Sequence, residues 1–146
     1  MSQHSIQRLR YLCLHLPPLL KTIDDGVFAL KPAPDKWSKK EILGHLIDSA
    51  SHNHHRLVRG QFEELPVIAY DQNKWNTFNY YQRIDGRQII DLWVSYNKQL
   101  LALINCIPSA KLLNRVSIGG TEVTLAFIIE DYVVHLEHHL TQIALY

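Results

Sequence analysis

The sequence has little cysteine and no thiol motif. Cys13 and Cys106 are its two cysteines, far apart and in no CxxC pattern, which excludes zinc-finger and thioredoxin readings. Both lie in apolar stretches, so buried free thiols in a reducing compartment are expected. No apolar run approaches the roughly 18 residues a membrane-spanning helix needs, and no membrane partner is expected. The N-terminus MSQHSIQRLRYL lacks the apolar centre and cleavage site of a secretory leader; a cytoplasmic protein is expected. Charge of one sign is also missing. A net charge of +1, with no basic tract, argues against nucleic acid or an anionic surface as partner. There is no internal repeat, no low-complexity tract, and no GxSxG, P-loop or dinucleotide fingerprint.

What remains is an ordinary globular composition, 47% hydrophobic and 20% charged over 146 residues. It is expected to fold as a single domain over 1–146. One feature is unusual: nine histidines.

The chain reads as four helical segments. The first covers about 5–23, and Pro17-Pro18 is expected to kink it or to force a fresh start. A turn-rich connector follows. Ser38-Lys39-Lys40-Glu41 fits a capping box, flanked by Trp37 and Ile42 as a hydrophobic staple. The second helix then runs to about Arg59. Residues 61–85 form a long, aromatic-rich connection, the length a crossover between parallel neighbours requires. The third helix spans about 86–107 and ends at Pro108. VSIGGTEVTL alternates around Gly119-Gly120 and reads as a small hairpin. Thr124 can cap the fourth helix, which is expected to reach about Leu145. These elements predict an all-α four-helix bundle with a long crossover between its second and third helices.

The histidines sort by helical phase, at roughly 100° per residue. In DYVVHLEHHLTQI, His135 and His139 are four apart and share a flank of the Leu/Ile stripe with Ile128, Tyr132 and Gln142. His138 turns to solvent. On the second helix, His45 sits on the flank of Ile42, Leu46, Ala50 and Leu57, with Ser49, His52 and Arg56. His54 and His55 face elsewhere. Two histidines at i and i+4 can present two imidazoles to one metal ion. The spacing is that of HExxH, but Leu136 stands where that motif has its glutamate. Alone, the pair is a weak signal, and ordinary surface or core histidines fit it better. With His45 from a packed neighbour, three ring nitrogens would leave one coordination position open, the layout of a catalytic site.

Three stretches, KWSKKEILGHLIDSA (36–50), YDQNKW (70–75) and TLAFIIEDYVVHLEHHLTQI (124–143), resemble in order and spacing the DinB/YfiT superfamily of metal-binding four-helix bundles. The resemblance covers the chain from about residue 30 onward. It implies metal ligation by His45, His135 and His139. It also implies the long crossover, a segment around Asp71 and Trp75 lying near the metal's mouth, and a homodimer; Val134, on the outer side of the last helix, fits a contact between copies.

The remaining candidates have plain structural readings beside the functional ones. His52 can line the pocket or supply a fourth ligand, or be a polar wall. Arg56 can hold an anionic substrate group, or form a salt bridge. Asp71 and Trp75 can wall the pocket. Asp131 can orient a ligand ring from behind, or be a solvated carboxylate. Tyr132 can bring a hydroxyl to the metal, or simply pack. The expected cofactor is a divalent ion, zinc or nickel, with or without a low-molecular-weight thiol. The reacting species is expected to be a metal-bound water or thiolate acting on a small-molecule substrate. The expected function is that of a metal-dependent hydrolase. A thiol-dependent S-transferase on the same site is the alternative, and a non-catalytic metal-binding stress-response protein is the rival. Asp48, Asp71 and Asp131 are the carboxylates available as a base.

Overall fold

A computed structural model describes residues 3–146; Met1 and Ser2, the first residues of the expected domain and of the stretch expected to lack a leader, lie outside it. Four long helices form the core: α1 (Gln3–Lys21), α3 (Lys39–Arg59), α5 (Gly86–Cys106) and α6 (Leu125–Leu140). Two short helices, α2 (Asp25–Ala29) and α4 (Gln72–Phe78), lie in the connections, and β1 (Arg115–Ile118) pairs antiparallel with β2 (Thr121–Thr124). α1 and α3 each pack against both α5 and α6. Leucine and isoleucine at three- and four-residue spacing drive this packing. Leu9, Leu12, Leu16 and Leu20 of α1, Leu46 and Leu57 of α3, and Leu125, Ile129, Leu136 and Leu140 of α6 are all essentially inaccessible. No helix among the described residues is long and apolar enough to cross a membrane.

α1 runs through Pro17 and Pro18 without a fresh start. An interior proline costs a helix about 3 kcal/mol. Burying one leucine returns roughly 1.5–3 kcal/mol, and Leu16 and Leu20 are buried on either side. The capping box at Ser38 is complete: Ser38 Oγ accepts from the Glu41 N–H at 3.1 Å, and Glu41 Oε1 accepts from the Ser38 N–H at 3.0 Å. Thr124 caps α6 as its position predicts, accepting from the Phe127 N–H. α6 is shorter than its periodicity predicts. It ends at Leu140, where turn bonds take over from Thr141 to Ala144. Cys106 also departs from expectation. It is exposed at the last position of α5, whereas Cys13 is buried. Val134 is 65% exposed.

The crossover carries much of the bundle's polar bonding. After α3, the chain pairs briefly along β1 through Ile68 and Ser117. It then returns along α3 toward that helix's start. Ile68 O meets Arg56, Tyr70 meets His52, Asn76 meets Glu41, and Gln82 meets Ser38 and Lys40. α5 therefore begins beside the start of α3 and runs parallel to it. α6 runs the other way, with Leu125 near Gly60 and His135 near His45.

Tyr81 fits against α3 because residue 44 is glycine: a Cβ there would lie 2.2 Å from the Tyr81 ring. Gly44→Ala must displace that ring and its bond to Asp48. Overpacking of this kind costs about 1–3 kcal/mol. Urea unfolding of the variant is expected to show a loss of that size with an unchanged m value; an unaltered midpoint would mean that Tyr81 moves freely.

Candidate metal centre

His45 lies on the second turn of α3 and is 1% exposed. His135 and His139 lie one turn apart near the end of α6. The antiparallel packing of α3 and α6 brings the three together. His45 Nε2 and His135 Nε2 are 3.0 Å apart, and one ligand nitrogen from each of the three residues falls within 4.8 Å of the others. Tetrahedral zinc–imidazole bonds of about 2.0–2.1 Å set neighbouring nitrogens roughly 3.4 Å apart. The cluster fits one such ion. Among the described residues no carboxylate or cysteine joins it.

The rear nitrogens point the same way. His139 Nδ1 lies 3.0 Å from Gln142 Oε1, and His135 Nδ1 lies 3.5 Å from Ser49 Oγ. An amide oxygen behind His139 holds the proton on Nδ1 and leaves Nε2 free to ligate. Trp37 packs its ring 5.0 Å from His45, so this residue walls the centre besides preceding the Ser38 cap. Gln142 and Ser49 both stand on the flanks that helical phase assigns to the histidines. Their positions behind particular rings depend on rotamers that phase alone does not fix.

The chain's family follows from this arrangement and from direct comparison. The DinB superfamily model matches residues 15–143. This chain belongs to the DinB superfamily. No curated protein matches it. Among solved structures, it superposes on YfiT from Bacillus subtilis, described as a probable metal-dependent hydrolase with an unusual four-helix bundle topology. The TM-score is 0.86 at 21% identity, over 98% of this chain and 86% of that one. It also superposes on the mycothiol-dependent maleylpyruvate isomerase, with a TM-score of 0.78 at 12% identity, over 94% of this chain and 59% of that one. A variant of that isomerase gives 0.82 at 11%, over 99% and 61%. At these identities the likeness is one of fold, and the DinB chain spans about three fifths of the isomerase's length.

The other sequence candidates fall into two groups. His52 and Trp75 come together with Tyr70: the His52 ring stacks on Tyr70 at 3.7 Å and meets Trp75 edge-on at 4.3 Å. His52 Nδ1 is bonded to the Asp48 carbonyl. Arg56 is buried, donating to Ile68 O and Asn53 Oδ1, and so pins the crossover rather than forming a salt bridge. Asp71 caps α4 through the Lys74 N–H. Asp131 is exposed. The Tyr132 hydroxyl donates to Asn97 Oδ1 at 2.6 Å within the core.

An open cleft of about 650 Å³ meets the centre at His139. Trp37, Ile42 and Pro32 form its apolar wall, while Lys36, Asp35, Gln72, Asn73 and Gln142 provide polar groups. This mixture suits a small polar molecule with some apolar surface.

Burial, reinforced by the neighbouring imidazoles, holds His45 down to about 3 and His135 to about 4. Both are neutral at pH 7, as ligation requires. In the metal-free protein the unfolded chain binds more protons at these positions between about pH 4 and 6.5, so stability rises with pH across that window. Asp48 acts in the opposite sense. Burial pushes its carboxyl up to about 6, so its contribution is lost as pH rises from 4 to 6. Two histidines outweigh one carboxyl. Thermal melts of metal-free protein are expected to climb from pH 4.5 to 6.5, and the climb to shrink in His45→Gln. A flat or falling profile would contradict the buried neutral pair.

Proposed function

We propose that the protein is a metal-dependent hydrolase in which His45, His135 and His139 hold one divalent ion, zinc or nickel. The observation that carries this reading is the convergence of three imidazoles beside an open cleft. A divalent ion bound there supplies Lewis acidity at a position open to a small substrate. The chain's own residues do the rest. Gln142 and Ser49 orient two ligand rings, Trp37 keeps water from the buried face of His45, and the amides at 72, 73 and 142 offer hydrogen bonds to substrate in the cleft. The likeness to YfiT supports the hydrolytic assignment.

A second reading is favoured by one specific observation. Hydrolysis benefits from a carboxylate base beside the reacting oxygen, and none joins the cluster among the described residues. Asp71 is engaged at a helix cap, and Asp131 is exposed. A thiol-dependent S-transferase needs no such base, because metal coordination itself removes the thiol proton. A fourth protein ligand would favour the non-catalytic reading. His52, the residue suited to that role, is stacked on Tyr70 and bonded to Asp48.

Elemental analysis of tag-free protein is expected to give about one equivalent of zinc or nickel, lost in His135→Ala and His139→Ala. At a free metal concentration of 100 times Kd, binding is expected to stabilise the protein by about 2.7 kcal/mol, which chelator reverses. No metal bound or taken up on titration would refute the assignment. Ester and amide substrates, assayed beside thiol-transfer substrates, then separate hydrolysis from transfer.

A further inference from the structure

Two of the three ligand rings have an acceptor behind them and the third has none. His139 Nδ1 has Gln142 Oε1, and His135 Nδ1 has Ser49 Oγ. His45 Nδ1 is buried without a partner. For a ligand bound through Nε2 this nitrogen must carry a proton, and a buried N–H without an acceptor is destabilising.

A complementary orphan lies three residues further along the same helix. Asp48 is 2% exposed. Its Oδ1 accepts twice, from Tyr81 Oη at 2.6 Å and from Asn79 Nδ2 at 3.0 Å. Its Oδ2 is buried and unpartnered. Among the described residues, only three buried side-chain atoms lack a partner, and these are two of them; the third is the indole nitrogen of Trp93. One is a donor and the other an acceptor. Residues three apart on a helix are neighbours on its surface. The double anchor on Oδ1 leaves Oδ2 as the oxygen free to receive a bond.

We propose that Asp48 is a positioning residue for the metal centre: its Oδ2 accepts the His45 Nδ1 proton, fixing the tautomer that presents Nε2 to the ion. This rests on the reading that the triad holds a metal. The two atoms are not bonded to each other as they stand, so forming the pair requires the His45 ring or the Asp48 carboxylate to rotate. The carboxylate acts from behind His45 and touches neither ion nor substrate, as outer carboxylates do in metal–histidine–carboxylate arrangements. Asn79 and Tyr81 thereby link the crossover to the centre through a single side chain.

Asp48→Asn is the informative variant. Tyr81 and Asn79 both donate to Oδ1, so the carboxamide keeps its oxygen toward them and turns its NH2 to the Oδ2 side. A donor then faces a donor, and His45 is driven to carry its proton on Nε2. Zinc or cobalt affinity, measured by competition with a chromophoric chelator, is expected to fall about 10–100-fold. Tyr81→Phe removes one anchor but keeps the acceptor, and its affinity is expected to stay within about threefold of the parent. In metal-free protein, 15N spectra of labelled histidine are expected to show His45 protonated on Nδ1 in the parent and on Nε2 in Asp48→Asn. That readout does not depend on metal binding, so it separates failure of this inference from failure of the metal reading. Parental affinity in Asp48→Asn, equal losses in both variants, or an unchanged His45 tautomer would each overturn the proposal.

Discussion

A helix that buries polar side chains must find a partner for each of them, because an unpaired buried polar group costs more than a hydrogen bond returns. α3 is under this constraint along its whole length. It buries Lys40, His45, Asp48, Ser49, His52, Asn53 and Arg56 beside its leucines. The apolar helices can satisfy few of these groups, and the segment between α3 and α5 satisfies Lys40, Asp48 and Arg56. Ile68 O, Asn79, Tyr81 and Gln82 O take up Arg56, Asp48 and Lys40. Tyr70 covers the face of His52. The segment is long because it must retrace α3, and it is rich in aromatic and amide side chains because of what it meets there.

The histidines extend the same constraint onto α6. Three imidazoles in close contact cannot all be charged, and burial removes the solvent that would make charge bearable. His45 and His135 respond by remaining neutral well below pH 6.5. Imidazole nitrogens aimed at one another hold lone pairs with too few protons to share. Such a cluster stabilises a cation far more than it stabilises itself. The electrostatic cost of assembling it and its affinity for a metal therefore have one origin.

Much of this was legible in the residues. The capping box at Ser38 and Glu41, the Gly119-Gly120 hairpin and the Thr124 cap depend on local chemistry, which sequence carries directly. The facing of His45, His135 and His139 depends on helical phase alone, and phase is reliable within a helix. What escaped depends on tertiary partners. α4 is a seven-residue helix with a single buried residue, Asn76, too short to show a period. Tyr81 reads as one more loop aromatic until Gly44 is seen beneath its ring. Cys106 has apolar neighbours in the chain but lies at a helix end that faces outward. α6 stops short of its apolar pattern because Ile143 can stay buried in a turn as well as in a helix. Helical phase puts Ser49 and Gln142 on the histidine flanks, but which ring each meets depends on side-chain rotamers.

Parallel packing of α3 and α5 links topology to chemistry. Two parallel neighbours oblige the chain to return to the end from which it started. In this bundle that end carries His45 and, by antiparallel packing, the last two turns of α6. The returning segment must therefore pass the metal centre whatever its sequence, and Gln72 and Asn73 enter the cleft on the way. An up-and-down bundle with short loops would leave the same three histidines without the side of the cleft that Gln72 and Asn73 provide. The crossover's residues are thus free to vary in what they present to a substrate, provided that they still satisfy α3. Asn79 and Tyr81 meet the second demand while Gln72 and Asn73 answer the first, and the two pairs lie within ten residues of each other. A fold built this way can change its substrate by altering one segment without disturbing the helices that hold the metal.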